Sequence, residues 1–363
     1  MTALDASAGA RRVTPAAVVG TVVVLLFLVL GLLWAKWIPY GEKAQGLSVT
    51  HEWSGASIFS SSGAPGDAPT WRGAWDFTVA YGRSVWQAAL VGLLVGAAVD
   101  SLLPKAWLLG LLDRRSSFGR SAAGGVAALP SLMCTCCTAP VAVGLRRRGT
   151  PLEAAASYWL GNPVLNPAVL VFLFLVGPWQ LGAVRIVVGV LLVFVAVPLV
   201  VRLVDRGRTS VPDGTLPGVR DMPGDARSVA DLPGRYLRSL ARIAVVLVPE
   251  YLIVVLLVGL VSGWLADFAG LDQRLGVLAV VICAVVGTLL VIPTAGEIPV
   301  VLALGAAGAG LGSTGALLIT LPALSLPSMV MVGRALSWRV TTAVAGAVVV
   351  AGLLSGLLLW AVG

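Results

Sequence analysis

Residues 131–140 read SLMCTCCTAP and place three cysteines beside a proline, inside a segment that is otherwise apolar. Because proline lacks the backbone N–H and clashes with the preceding turn, an apolar helix is predicted to break here. Within a membrane, non-helical backbone is tolerated only where protein or a water-filled cavity surrounds it. In a membrane protein, this stretch would therefore indicate a broken helix beside a cavity.

The composition of the whole chain is that of a membrane protein. Of its 363 residues, 58% are hydrophobic and only 12% are charged, whereas soluble domains carry about 25% charged residues. Several apolar runs approach or exceed the roughly 20 residues that span a bilayer. They predict an all-α polytopic membrane protein of the cell (inner or plasma) membrane. The runs cover residues 16–38, 76–103, 152–177, 181–204, 237–265, 315–333 and 340–361.

The charges and motifs exclude several other classes of function. The net charge of +8 comes from arginines spread through loops without interleaved aromatic residues, which argues against nucleic acid as a partner. The single histidine, His51, lies in a polar segment and argues against histidine metal sites or base catalysis. The sequence contains no GxxxxGK[ST] phosphate loop and no HExxH or GxSxG motif. No cofactor is expected.

A second interrupted apolar segment, residues 275–310, contains PTAGEIP at 293–299 and resembles the first, residues 118–146. The positive-inside rule favours a cytoplasmic N-terminus and two re-entrant hairpins that enter and return on one side. Lys36 and Arg185 then fall among the few basic residues outside. The predicted divisions are 1–72 (a helix, then an extracytoplasmic loop from 41), 73–204 (first repeat), 205–235 (cytoplasmic linker) and 236–363 (second repeat).

The prolines indicate an internal repeat. Pro140 to Pro163 and Pro299 to Pro322 are both separated by 23 residues, and another proline follows each pair, Pro167 or Pro327. With the predicted topology the halves are inverted, and inverted repeats with broken helices place a transporter's binding site where the breaks meet. Pro140 and Pro299 are predicted to begin half-helices, since proline is favoured in a first turn.

The thiols are candidate ligands at one of these breaks. Cys134, Cys136, Cys137 and Thr138 are predicted to lie just before a half-helix, whose positive end attracts anions and activates thiols. Thiols bind soft metals and metalloids, so Cys136 and Cys137 are candidate metalloid ligands. The alternative is that these cysteines only pack as small hydrophobic residues.

Other polar residues in apolar surroundings complete the candidate site. Glu297 is predicted to carry a proton or pair with a cation, because intramembrane carboxylates are costly and usually functional. Glu250 follows a proline, so it either couples protons or caps a broken helix. Asn162, Asn166 and Ser325 are candidate cavity residues that could instead satisfy backbone groups freed by the prolines.

Two motifs resemble the ArsP/YraQ-like predicted permeases. They are CTCCTAPVAVGLRRRGTPLEAAASYWLGNPVLNP (134–167) and GEIPVVLALGAAGAGLG (296–312) followed by LPALSLPS (321–328). The resemblance spans roughly residues 76–360 and implies an inner-membrane permease, in a family that includes exporters of trivalent organoarsenicals. Cys137 departs from the family pattern, in which glycine is common at this position. The matching positions are Cys134, Cys136, Pro140, Asn166, Pro167, Glu297, Pro299, Ser325 and Pro327.

The leading hypothesis is therefore a secondary-active permease, a transporter and not an enzyme, that exports a small thiophilic solute such as a trivalent organoarsenical. A membrane thiol oxidoreductase is an alternative because Cys134 and Cys137 have CxxC spacing, but such enzymes need a second exchanging pair. A non-transporting scaffold is the other alternative. The expected partners are a small-molecule substrate and the lipid bilayer, and the oligomeric state is left open.

Overall fold

The computed structural model describes residues 14–204 and 228–363, apart from positions 62, 65 and 266. Residues 205–227, most of the predicted cytoplasmic linker, lie outside the described residues, as do residues 1–13. The described residues form helices and connecting turns without any β-strand. The protein is thus an all-α polytopic membrane protein, as the sequence predicts.

Within the described residues, six helices are long and apolar enough to cross a membrane, or seven if a pair bent by 52° counts as one span. They coincide with the seven apolar runs of the sequence. In the N-terminal helix only 22% of the most apolar window is buried, so most of its apolar surface faces outward, where lipid would lie. The six are Pro15–Thr50, Trp71–Ser101, Leu152–Val176, Trp179–Val204, Val229–Val261 and Trp338–Val362, and the bent pair is Leu311–Ala323 with Leu326–Leu336.

The first helix is longer than the sequence predicts. Helix α1 (Pro15–Leu32) passes through a π-helical segment (Leu33–Trp37) directly into α2 (Ile38–Thr50). The predicted loop from residue 41 is therefore wrong for its first ten residues. This extension packs on the rest of the protein, with the Tyr40 ring edge-on to Phe172 at 5.7 Å between ring centroids. Tertiary packing thus keeps a polar stretch helical where composition favoured a loop.

The remaining helices occur in the same order in the two halves. Each half has a long helix, a short connecting helix, two short helices separated by a break, two helices separated by a second break, and a final long run. The opposite orientation of the halves remains a prediction. The first half contains α3 (Trp71–Ser101), α4 (Lys105–Leu112), α5 (Ser117–Ala128), α6 (Thr135–Arg147), α7 (Leu152–Val164), α8 (Pro167–Val176), α9 (Trp179–Leu191) and α10 (Val197–Val204). The second contains α11 (Leu232–Leu265), α12 (Phe268–Leu275), α13 (Val277–Leu289), α14 (Glu297–Ala306), α15 (Leu311–Ala323), α16 (Leu326–Leu336) and α17 (Trp338–Val362).

The interrupted segments are the pairs α5/α6 and α13/α14. Their helices have 10 to 13 residues, or about 15–20 Å of length, which is less than the roughly 30 Å hydrocarbon core. In the first break, between α5 and α6, Leu132 adopts the left-handed conformation, and in the second, between α13 and α14, Ala295 does so. Each segment is therefore a broken pair of short helices.

The predicted role of Pro140 is wrong. It is the sixth residue of α6, because the left-handed Leu132 and the extended Cys134 turn the chain earlier and α6 begins at Thr135. Pro163 and Pro322 lie near the ends of α7 and α15. Three of the six predicted break prolines do occupy the first turn of a helix, where the missing N–H is tolerated. They are Pro167 of α8, Pro299 of α14 and Pro327 of α16.

Glycines allow α6 to approach α3 closely. A Cβ atom on Gly96 would lie 2.7 Å from the carbonyl oxygen of Pro140, and one on Gly144 would lie 2.6 Å from that of Gly96. Such contacts leave no room for a side chain, as in other membrane helix pairs that pack through small residues. This packing places the first turn of α6, with its cysteines, inside the protein.

Candidate substrate site at the two helix breaks

The two breaks meet inside the protein. A small cavity is lined by Cys134 of the first break and by Pro293, Thr294 and Glu297 at the second. Its volume is about that of one water molecule. The first break also reaches the other half through Thr135, whose hydroxyl lies 3.3 Å from that of Ser325. The meeting of the breaks agrees with the sequence prediction.

Three thiols form a compact cluster at this point. The Cys134 Sγ atom lies 3.1 Å from the Sγ atoms of both Cys136 and Cys137, and all three sulfurs lie within 4.8 Å of one another. All are buried and none forms a disulfide. Three sulfurs this close can bind one soft ion or trivalent metalloid. The cluster is a candidate ligand set for such a substrate.

Cys136 and Cys137 lie within the first turn of α6 and not before it. Cys134 is the N-cap residue, and Cys136 and Cys137 follow inside the helix, so the positive end of the helix dipole faces the sulfurs. Thr138 turns its hydroxyl to its own helix, donating to the carbonyls of Cys134 (3.2 Å) and Thr135 (2.9 Å).

A larger apolar cavity of about 150 Å³ also borders the cluster. Cys136, Cys137 and Pro140 line it together with residues of α3, α11 and α16. Two tyrosines approach Cys136, with the hydroxyl oxygen of Tyr81 at 3.0 Å and that of Tyr251 at 3.8 Å from the sulfur. Neither tyrosine belongs to a motif, and sequence reasoning missed both.

A buried ion pair joins the second break to the first half. Arg185 and Glu297 are 0% and 1% exposed, and Nη1 of the arginine lies 2.5 Å from Oε1 of the carboxylate. Arg185 also donates from Nε to the carbonyl of Val164 (3.0 Å) and from Nη2 to that of Pro163 (2.8 Å). The second carboxylate oxygen of Glu297 has no hydrogen-bond partner among the described residues.

The prediction that Arg185 and Lys36 lie outside is wrong. Lys36, in the π-helical segment, is 5% exposed and donates from Nζ to the hydroxyls of Tyr40 (2.9 Å) and Thr294 (3.0 Å). Both residues interrupt apolar runs, and an intramembrane charge is a functional signal. That signal was present in the sequence.

The amide and hydroxyl candidates mainly shape the breaks. Asn162 accepts from the Met133 N–H (2.7 Å) and also donates to Ser131. Asn166 caps α8, while its Nδ2 atom has no hydrogen-bond partner among the described residues. Ser325 caps α16 in a reciprocal capping box with Ser328. These contacts support the alternative that the three side chains satisfy backbone groups at the breaks.

Glu250 lies in the middle of α11, which continues through Pro249 as one helix of 34 residues. The idea that Glu250 caps a broken helix is therefore wrong. Its Oε1 atom lies 2.8 Å from Nη1 of Arg334. The arginine side chain is 65% exposed, so this ion pair lies at the surface of the protein. Glu250 directly precedes Tyr251, which contacts Cys136, and its proton-coupling role remains a prediction.

Comparison with known proteins identifies the family. A family described as "Predicted permease", ArsP_1, matches residues 70–360. The chain is similar to the UPF0718 protein YraQ of Escherichia coli (strain K12), with 38% identity over 334 residues, covering 92% of this chain and 93% of that protein. No solved structure matches. The chain therefore belongs to the ArsP predicted permease family, which indicates a membrane permease.

Proposed function

We propose that this member of the ArsP predicted permease family exports a small thiophilic solute, such as a trivalent organoarsenical, from the cytoplasm. The observation that supports this proposal is the cluster of three sulfurs at the start of α6. Sulfur ligands select soft elements, and the adjoining cavity of about 150 Å³ is mostly apolar, which suits an organic substituent.

Substrate binding is a ligand exchange without a redox change. A thiol sulfur forms a bond to the trivalent arsenic and displaces one hydroxide, which leaves with the thiol proton as water. Two thiols replace both hydroxyls of a mono-organic arsenical, and water reverses the exchange on release. Cys134 and Cys136, whose sulfurs are 3.1 Å apart, or Cys134 and Cys137 are suitable pairs.

The transport mechanism is alternating access around the two breaks, with a proton gradient as the energy source. Glu297 is the proposed proton carrier. Its Oε2 atom is buried without a hydrogen-bond partner among the described residues, and its other oxygen pairs with Arg185. Protonation would neutralise the carboxylate, weaken that pair and free the second hairpin (α13/α14) to move. Glu250 is the less buried alternative carrier.

The test is the accumulation of methylarsenite by intact cells that lack their own arsenic exporters. Expression of the wild-type protein should lower the intracellular arsenic. The Cys136→Ser/Cys137→Ser variant should accumulate as much as cells without the protein. Cys283→Ser is the matched control, because Cys283 is a buried cysteine on α13 outside the cluster, and it should behave as the wild type.

The outcomes separate the parts of the proposal. Equal accumulation with and without the wild-type protein, at verified expression in the membrane, would refute arsenical export. If the double serine variant lowers the intracellular arsenic as much as the wild type does, only the role of the thiols is refuted, and arsenical export stands. An uncoupler that leaves export unchanged in energised inverted vesicles would refute the proton gradient as energy source.

A further inference from the structure

The π-helical segment of the N-terminal helix contacts both helix breaks through consecutive residues. The Nζ atom of Lys36 donates to the hydroxyl of Thr294 in the second break (3.0 Å), and the Nε1 atom of Trp37 donates to the carbonyl of Pro130 in the first (2.9 Å). π-helical turns are frequent at functional sites. This segment also lies before residues 70–360, the part that the family match covers.

Among the described residues, no carboxylate pairs with the ammonium of Lys36. Its contacts are the neutral hydroxyls of Tyr40 and Thr294 and the Tyr40 ring, whose centroid lies 4.8 Å away. Thr294 lines the same small cavity as Cys134, so this contact joins Lys36 to the edge of the thiol cluster. Burial of a cation without an anionic partner is costly, so this position favours a ligand that brings negative charge.

The other charges near the breaks do not supply this partner. Glu297 is paired with Arg185, which leaves Lys36 as an additional positive charge beside the cavity. The N-terminal ends of α6 and α14 meet at the same cavity, through Cys134 and Glu297, and both ends carry partial positive charge. The electrostatic potential around the thiols is therefore positive.

We propose that Lys36 is a substrate-binding residue: its ammonium attracts and orients the negatively polarised or anionic oxygen atoms of the arriving solute, before the thiols displace them from its soft centre. The ligand class is a small oxygen-bearing compound of a trivalent metalloid, in its hydroxyl or oxyanion form. This inference rests on the proposed function, in which the thiols bind the metalloid atom. It adds Lys36 as the residue that recognises the oxygen atoms.

The potential at the thiols can be measured without transport. A variant that keeps Cys137 as its one cysteine (Cys134→Ser, Cys136→Ser, Cys283→Ser) is purified in detergent and treated with methanethiosulfonates. The reagents are the anionic sulfonatoethyl compound, the cationic trimethylammonioethyl compound and the neutral methyl compound. Cys137 borders the larger cavity. The rate of Cys137 modification by the anionic reagent, divided by the rate with the cationic reagent, reports the electrostatic potential at the sulfur. The intrinsic reactivity of the thiol affects both rates equally and cancels in this ratio.

Lys36→Met in this background should lower the rate ratio by about tenfold, since the two reagents sense the lost charge with opposite sign. Lys36→Arg should preserve the ratio. Trp37→Phe is the matched control, because it removes the bond to Pro130 from the same helical turn without changing the charge, and it should leave the ratio unchanged. The neutral reagent should react at the same rate in all of these variants, which verifies folding and access.

A second measurement uses the complete chain and methylarsenite uptake by inverted vesicles. Lys36→Met should raise KM by about tenfold, as expected for a lost hydrogen bond to a charged group, with Lys36→Arg close to the wild type. An unchanged rate ratio in both Lys36→Met and Lys36→Gln would overturn the positive potential. A lowered ratio with unchanged KM would overturn the contact with the solute. No uptake by the wild type would contradict the proposed cargo, while the rate ratio would still decide the role of the charge.

Discussion

Replacement of Arg185 by methionine should destabilise the protein strongly. Arg185 is fully buried and uses three nitrogen atoms at once, one on the Glu297 carboxylate and two on the carbonyls of Val164 and Pro163. These carbonyls belong to the last two residues of α7, just before the break that separates α7 from α8. The arginine therefore holds the end of a first-half helix and the start of α14 together.

The magnitude follows from what Arg185→Met leaves behind. Removing one member of a buried ion pair costs about 3–5 kcal/mol, because Glu297 would remain charged in the interior. Each of the two carbonyls that loses its donor adds about 1–3 kcal/mol if no water replaces it. We expect a total of at least about 5 kcal/mol. At about 2–4 °C per kcal/mol, the apparent melting temperature should fall by about 10–20 °C.

The assay is thermal unfolding of the purified protein in detergent, together with the yield of monodisperse protein. Arg83→Met is the matched control, because Arg83 is an exposed arginine of a spanning helix, and it should change the melting temperature little. The double variant Arg185→Met/Glu297→Gln should be more stable than Arg185→Met, since no charge is left unpaired. A melting temperature of Arg185→Met within about 3 °C of the wild type, which is about 1 kcal/mol, would refute this reasoning.

Two further predictions concern the backbone around the thiols. Gly92→Val should lower the melting temperature and the methylarsenite export, because a Cβ atom there would overlap the carbonyl of Cys137, whereas Gly82→Val, at a site with no atom within 4 Å, should change neither. Equal effects of the two substitutions would contradict the close contact. Leu132→Gly should lower the melting temperature, because loss of this buried side chain (2% exposed) costs about 2–5 kcal/mol, whereas the left-handed strain that glycine relieves (φ 49°) is about 1–2 kcal/mol. A higher melting temperature would show that the strain outweighs the packing of the leucine side chain.

The spans and the breaks could be predicted from the sequence because lipid imposes simple rules. Apolar length identified the seven runs, and the unusual segments SLMCTCCTAP and PTAGEIP marked the two places where helices stop. The start of α6 could not be read from proline alone. A left-handed Leu132 and an extended Cys134 decide it, and these conformations depend on contacts such as the Asn162 bond to Met133.

The charged residues at the site were harder to place. The positive-inside rule counts basic residues on each side of the membrane, but it does not tell a loop arginine from one inside a span. It therefore assigned Arg185 and Lys36 to the outside. Lys36 and Thr294 are 258 positions apart, and only the folded chain shows that they meet. The position of each basic residue within an apolar run is a stronger indication of its location than the number of basic residues assigned to each side of the membrane.

Two of the polar contacts between the halves each join a hairpin of one half to the other half, and they differ in strength. The second hairpin uses Glu297 to bind Arg185, which holds the end of α7, while the first hairpin (α5/α6) uses Thr135 to meet Ser325 at the start of α16. A buried ion pair costs about 3–5 kcal/mol to break, and a neutral hydroxyl pair contributes about 1 kcal/mol. Alternating access through rigid halves would therefore begin at the hydroxyl contact, which adjoins the thiols. The ionic contact would open only after Glu297 is neutralised, and this order is how proton uptake could be coupled to movement of a substrate held by the cysteines.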